Sequence, residues 1–281
     1  MTSKLLSQLI IGLLFSTAIG IAAYRRKSLS KSGIVGAILT GTTIFGCGGW
    51  VWGMVLITFF VLSSLLSHYK ERTKASLAEK FAKGSQRDIW QAFANAGAGS
   101  LIAVTYAISP HPVLFCAFAG AMATVNADTW ATELGILSKR PPRLITTGKQ
   151  VEPGTSGGVS LLGTLATLAG GFAIGLVATT LWGINALFGS PPIAGMFALP
   201  FVAALSGLAG SLCDSFLGAT VQAIYYSDRR EKETERVIDP DGTPNRHLRG
   251  WRWLNNDWVN FLSSAVGAMI CALLWRVIVG G

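Results

Sequence analysis

The chain has 281 residues, of which 51% are hydrophobic and only 13% charged, and its formal net charge is +9. An ordinary soluble domain carries about a quarter charged residues, so this composition excludes a water-exposed globule. Segments of about 20 apolar residues, each enough to cross a bilayer, divide the sequence better than globular domains do.

From the N-terminus, Lys4 and the apolar run Leu5–Tyr24 have the outline of a signal peptide. The run is long, however, and Arg25, Arg26 and Lys27 follow at once, as they do after a retained first span. Further apolar runs place spans at roughly 33–48, 50–67, 91–109, 113–135, 158–182, 193–218 and 257–279, giving eight with the first. The 33 glycines agree, because small residues let helices approach closely in lipid. Gly171 and Gly175 form one GxxxG pair. Cys47, Cys116, Cys213 and Cys271 lie in apolar stretches with no CxxC and no histidine at ligand spacing, so neither a metal site nor a disulfide is expected of them. His68, His111 and His247 fall one to a loop.

The connections carry the topology. Of the 23 Lys and Arg residues, 21 sit in alternate connections, and the short ones at 47–50, 110–112 and 183–192 carry none. By the positive-inside rule the basic loops, 25–32, 68–90, 136–157 and 227–255, are cytoplasmic. The expected fold is therefore all-α: a polytopic integral membrane helical bundle of about eight transmembrane helices. It forms a single transmembrane domain over 1–281, with both termini on the non-cytoplasmic side. No basic, aromatic-rich domain stands apart from the membrane, so nucleic acid is not an expected partner. Membrane lipid headgroups and soluble anions are. The loop Tyr226–Gly250, with its Asp239-Pro240-Asp241-Gly242 turn, reads as a solvated connection, the alternative being a mobile lid.

Polar side chains inside spans are costly and mark function. Here they are Asn95, Asn126, Asp128, Glu133, Asp214, Asp257 and Asn260, all toward the cytoplasmic half. At helical spacing Asn126, Thr129 and Glu133 share one face. Thr124, Asp128 and Thr132 line the next, with Thr124 and Thr132 read as helix–helix hydrogen bonders. Spans five and seven repeat one pattern of small residue, Asp, hydroxyl and aromatic: Ala127-Asp128-Thr129-Trp130 and Cys213-Asp214-Ser215-Phe216. Two carboxylates at similar depth suit a shared divalent ion, and oxygen ligands of this kind suit Mg²⁺. Between those spans lies Gly148–Ser160, whose glycines and hydroxyls lead into span six. Free N–H groups and the positive dipole end at such a helix start suit an anion. It is not a P-loop, in which the Lys follows the second Gly, and a tight loop capped by Ser156 is the structural alternative.

At these residues the sequence resembles a known membrane family. Gln86–Gly97 (QRDIWQAFANAG), Asn126–Gly135 (NADTWATELG), Pro141–Thr147 (PPRLITT), Gly154–Thr164 (GTSGGVSLLGT), Gly210–Gln222 (GSLCDSFLGATVQ) and Asn256–Ser264 (NDWVNFLSS) look like the transmembrane protein 19 family. That family includes the phytyl-phosphate kinase of the vitamin E (tocopherol) pathway. More remotely it is similar to membrane polyprenol kinases and to lipid cytidylyltransferases that use CTP. The resemblance implies phosphoryl transfer from a nucleoside triphosphate, CTP or another, to an isoprenyl (phytyl) phosphate. The protein would sit in a plasma or thylakoid membrane with its site facing the cytoplasm.

In that scheme Asp128 and Asp214, with Glu133, hold Mg²⁺ on the nucleotide phosphates. Lys149 and the Thr155, Ser156, Gly157, Gly158 stretch bind phosphate oxygens, and Arg87, Lys139, Arg140 and Arg143 neutralise the remaining charge. Asn95, Asn126, Ser211, Asn256, Asp257 and Asn260 stand on the substrate side or behind the ligands. A CTP-dependent lipid nucleotidyltransferase or polyprenol kinase would use much the same groups. A secondary transporter would also bury carboxylates, but nearer the bilayer midplane.

Overall fold

The computed structural model describes residues 2–69 and 86–279, with side chains from Leu5 onward. The loop cations Lys70, Arg72, Lys74, Lys80 and Lys83 lie outside the described residues. Eight long helices run through the rest: α1 (Thr2–Arg25), α2 (Lys31–Gly48), α3 (Trp50–His68), α4 (Ile89–Ile108), α5 (Pro112–Gly135), α6 (Leu161–Leu187), α7 (Leu199–Thr220) and α8 (Asn256–Val279). Local chemistry sets several starts. The Ser30 hydroxyl caps α2 through Gly33 N–H at 3.1 Å, and Asp88 and Gln91 close a reciprocal capping box on α4. Pro112 opens α5, where its missing N–H costs nothing.

Segments within α1, α3, α6 and α8, and Met196–Thr220 around α7, are long and apolar enough to cross a membrane. The other three helices are interrupted by polar residues, among them Thr40, Thr42 and Thr43 of α2, Gln91 and Asn95 of α4, and Asn126, Asp128 and Glu133 of α5. For α5 the reason is its place in the bundle. Every residue from Phe115 to Ala127 is buried, because α3, α4, α6, α7 and α8 all pack around it. A helix enclosed by helices needs no lipid-facing stripe, and its Ala117, Ala119, Gly120, Ala121 and Ala123 let its neighbours close in. The outer helices are apolar outward instead: Leu14, Leu65, Leu101, Leu161, Phe201 and Val277 are each more than 60% exposed. Apolar surface of this extent belongs against hydrocarbon chains.

The connections sort to two ends. At one, Trp50 Nε1 donates to Asn185 Oδ1 at 2.9 Å, joining the start of α3 to the end of α6. At the other, Leu29 bridges to Arg87, and Ser156 reaches Gln222 and Glu235, so the basic loops meet one another. This second end is the basic end.

Several sequence expectations need correction. Gly158 and Val159 are not the first turn of α6 but a short strand, β2 (Gly158–Val159), antiparallel to β1 (Arg143–Leu144). The helix begins at Leu161, capped by the Ser160 hydroxyl on Gly163 N–H at 3.1 Å. Similarly, α7 begins at Leu199 after a 3₁₀ turn at Met196–Ala198, not at residue 193. Nor is the chain purely α. The loop after α7 folds into a three-stranded antiparallel sheet of β3 (Ile224–Ser227), β4 (Lys232–Thr234) and β5 (Arg246–Arg249), in the order β4-β3-β5. A buried Asp239 knots this sheet, accepting from Ser227 Oγ at 2.6 Å and Asn245 Nδ2 at 3.0 Å and pairing with Arg230. The Ser227 and Asn245 donors, with Arg230 beside them, hold its carboxyl down to about 2. The loop is thus a folded element, although many of its side chains remain exposed.

Candidate active site

Helices α5 and α7 run side by side toward the basic end and deliver Asp128 and Asp214 to one cleft of about 200 Å³. Ser211, nearly a turn before Asp214 on α7, donates its hydroxyl to Asp128 Oδ1 at 3.2 Å. Ser263 of α8 donates to Asp214 Oδ2 at 3.2 Å. Each aspartate therefore has a neutral hydroxyl donor and, among the described residues, no Lys or Arg partner. The charges of the two carboxylates act on one another, and that of Glu235 acts on both.

Glu235 is the residue that sequence reasoning missed. It lies outside the spans, in a run with Glu231, Lys232, Glu233 and Arg236, where a carboxylate is unremarked because it is cheap in water. Only the register of the sheet reveals it. Pairing Thr234 with Tyr225 leaves the next residue, Glu235, beside the end of α7. There its Oε1 accepts from Ser156 Oγ and Gln222 Nε2, each at 2.9 Å. Glu235 thus ties the β-sheet to the Gly-rich loop and to the end of α7, and it lines the cleft.

Of the predicted residues, Asp128, Asp214, Thr155, Ser156, Gly157, Gly158, Ser211 and Asn256 all line this cleft. Gly157 shows how tightly the loop is seated. Its φ is +83°, and a Cβ there would lie 2.5 Å from Ala219 Cβ, so its backbone presses directly on α7. Thr132, expected to bond between helices, is instead exposed along the cleft wall.

Other candidates are elsewhere. Glu133 is on the next face of α5, outside the cleft lining, where its charge acts on Arg87. Asn126 is fully buried and clamps helices, donating to Gly170 O of α6 at 2.8 Å and accepting from Ser63 of α3 at 3.4 Å. Lys139, Arg140 and Arg143 line a separate hollow against Leu161 and Leu162. The Arg143 guanidinium serves its own turn, donating to Gly148 O at 2.8 Å. Lys149 is exposed on that turn, and Asp257 and Asn260 lie in the first turns of α8 outside the lining. Arg87 and Asn95 border an apolar cavity between α1, α2, α3 and α4.

The described side chains around the cleft offer carboxylate, hydroxyl and amide-carbonyl oxygens, the kind of ligand that hard divalent cations take. Among the described residues no three His, Cys, Asp or Glu side chains converge closely enough to enclose a metal ion by themselves.

Fold and cleft together define a polytopic helical membrane protein with a paired-carboxylate site at its basic end. The chain belongs to the family described as integral membrane protein DUF92, whose model matches residues 14–268. It is 34% identical to Protein PGR of Arabidopsis thaliana, over 95% of this chain and 96% of that protein. An uncharacterized membrane protein of Methanocaldococcus jannaschii is 27% identical over 98% and 97%. Protein VTE6, chloroplastic, of Arabidopsis thaliana is 26% identical over 89% of this chain and 66% of its own length. No solved structure matches the chain.

Proposed function

We propose that this protein is a membrane-embedded phosphotransferase that moves a phosphoryl group from a nucleoside triphosphate to an isoprenyl phosphate such as phytyl phosphate. The observation that carries it is the meeting of Asp128, Asp214 and Glu235 with the Thr155–Gly158 loop in one cleft. Three carboxylates repel a polyphosphate unless a divalent cation stands between them. Mg²⁺ is commonly held by one or two carboxylates, with substrate phosphates and waters completing its shell. Asp128 and Asp214 would be the protein ligands, with Glu235 adding negative charge beside them, and Glu133 has no part in it. Bound there, the ion would neutralise charge on the nucleotide phosphates.

The acceptor needs no general base. A phosphate monoester has a second pKa near 6, so its attacking oxygen is already anionic at neutral pH. What remains is positioning and charge stabilisation, the usual demands of phosphoryl transfer. The resemblance to a family containing a phytyl-phosphate kinase supports the same acceptor. By the positive-inside rule the basic end faces the cytoplasm, where nucleotide is available.

Purified protein given phytyl phosphate, Mg²⁺ and each nucleoside triphosphate in turn should yield phytyl diphosphate and a nucleoside diphosphate. Release of pyrophosphate would make it a nucleotidyltransferase. Absence of any product with every nucleotide would overturn the proposal. Glu235→Gln keeps an oxygen acceptor for Ser156 and Gln222 while removing one charge. It should raise the Mg²⁺ concentration needed for half-maximal activity about tenfold, equivalent to 1.4 kcal/mol of binding. An unchanged Mg²⁺ dependence would confine Glu235 to holding the loop.

A further inference from the structure

The hollow that holds Lys139, Arg140 and Arg143 adjoins the carboxylate cleft. Val159 and Ser160 line both, so the two compartments are neighbours across one short piece of chain. At about 730 Å³ the hollow falls within the range of about 300–1,000 Å³ typical of small-molecule sites. Three cations line it and, among the described residues, no carboxylate does. The cleft beside it carries the opposite sign, with Asp128, Asp214 and Glu235 in its lining.

The chain leading into β1 sets the cations in place. The Ser138 hydroxyl closes the turn after α5, donating to Arg140 O at 2.9 Å and accepting from Arg140 N–H at 3.2 Å. Pro141 and Pro142, whose rings fix φ, carry the chain on to β1, where Arg143 pairs with Val159. That pairing brings Arg143 beside the start of α6. Its guanidinium commits one N–H to Gly148 O and keeps others of its five. Lys139 and Arg140 are exposed and form no ion pair among the described residues. Like charges gathered in one hollow repel, so an anion among them is stabilising.

The other wall is apolar. Leu161 and Leu162 open α6 here, 70% and 40% exposed. At about 100° per residue, Leu161, Leu165, Phe172 and Leu176 fall on one stripe of the helix about 60° wide, and all four are exposed. From Leu161 to Leu176 the stripe is about 22 Å long at 1.5 Å per residue. A cationic hollow at the basic end, continuous with an apolar track into the membrane, matches an anionic head on a single hydrocarbon chain. A soluble nucleotide has no use for the track.

Ser160 marks the passage between the two compartments. Gly135 and Gly163 pack against it so closely that a Cβ on either would lie 3.3 or 3.1 Å from its Oγ. That oxygen accepts from Gly163 N–H, and the hydroxyl hydrogen has no acceptor among the described residues. It is free to donate to a phosphate reaching from the hollow to the cleft.

We propose that the hollow binds the lipid acceptor, with its phosphate on Lys139, Arg140 and Arg143 and its chain along the Leu161–Leu176 stripe. That the chain is isoprenoid and its phosphate a phosphoryl acceptor rests on the function proposed above. A phosphate held at Ser160 would border the cleft that takes the nucleotide. One of its oxygens would bond to the γ-phosphorus as the bond to the β,γ-bridging oxygen breaks and nucleoside diphosphate leaves. The three cations, which sequence reasoning assigned to the nucleotide, thus serve the acceptor.

The test is photolabelling of the full protein in phosphatidylcholine nanodiscs, using phytyl phosphate with a diazirine near its phosphate end, followed by peptide mapping. Label should fall on Leu137–Arg143 and Leu161–Leu165. Excess phytyl phosphate should abolish it, whereas phytol and phosphatidylglycerol should not. Lys139→Gln with Arg140→Gln should lower it about tenfold through two lost charge-assisted contacts, at an unchanged unfolding midpoint. Lys139→Arg with Arg140→Lys should keep most of it. Label elsewhere, or undiminished label in the glutamine pair, would overturn the proposal. Equal competition by phosphatidylglycerol would do so by making this a site for bilayer lipid. In turnover, the glutamine pair should raise KM for phytyl phosphate about tenfold and leave that for the nucleotide unchanged. A rise in nucleotide KM alone would return the cations to the nucleotide and overturn the proposal. Turnover with label elsewhere would remove this site and leave the phosphotransferase standing. Label here without turnover would do the reverse.

Discussion

Asp128→Asn and Asp214→Asn are each expected to lower turnover at least about 100-fold, the scale of losing one main electrostatic contact in a transition state. Both changes keep side-chain volume. The oxygen of an asparagine at 128 still accepts the Ser211 hydroxyl, and one at 214 still accepts that of Ser263. The expected loss therefore measures charge rather than packing. In the absence of ligand each aspartate is a costly neighbour for the other, with Glu235 adding to the repulsion. Neutralising one should leave the thermal unfolding midpoint unchanged or higher. With ligand the order reverses. Mg²⁺ plus nucleotide at about 100 times its dissociation constant should stabilise the wild-type protein by about 2.7 kcal/mol, and each variant much less. Thermal unfolding with and without Mg²⁺–nucleotide, run beside the activity assay, separates the two effects. Full activity and normal ligand stabilisation in both variants would exclude the cleft from the chemistry.

The sequence showed these two residues because lipid makes a carboxylate conspicuous. A charge within an apolar run has few cheap explanations, so Asp128 and Asp214 stood out, and the matching patterns around them anticipated their meeting. The same contrast located the helices and the alternation of basic loops. Where water replaces lipid the contrast disappears. Glu235 could not be told from Glu231 or Glu233 until strand pairing set one of them against Ser156 and Gln222. Glu133 was conspicuous for the same reason as Asp128, yet helical spacing alone does not say which face meets which neighbour, and its face meets Arg87. Asn126 finds its partners within the bundle. An amide buried in a span must find partners, and a backbone carbonyl of the next helix satisfies it as well as a ligand would. The helix start at 161 was legible in principle from Ser160, a good N-cap residue, but glycines before it extended the apolar run and obscured the boundary.

Gly267→Ala should destabilise the protein by about 1–3 kcal/mol, the range for forcing extra volume into a packed core, and should take activity with it. A Cβ at 267 would stand 1.8 Å from Thr124 Oγ1. Thr124 has no room to move. Its hydroxyl donates to Gly120 O at 2.9 Å and lies 3.4 Å from Ser206 O of α7. Across from it, a Cβ on Gly210 would be 2.3 Å from its methyl group. Thr124 thus fills the space where α5, α7 and α8 come closest, with glycine on two sides. Each of the three is one helical turn from the chemistry: Thr124 from Asp128, Gly210 from Asp214, and Gly267 from Ser263, which bonds Asp214. Pushing α8 outward would therefore move the donor to Asp214 as well as weaken the core. Thr124→Ala removes the clashing hydroxyl, so the pair Gly267→Ala with Thr124→Ala should recover part of the stability lost by Gly267→Ala alone. Such coupling is what a double-mutant cycle measures between residues in contact. Unfolding midpoints that simply add would show that the three helices have slack at Thr124, and the alignment of the two aspartates would then need another cause.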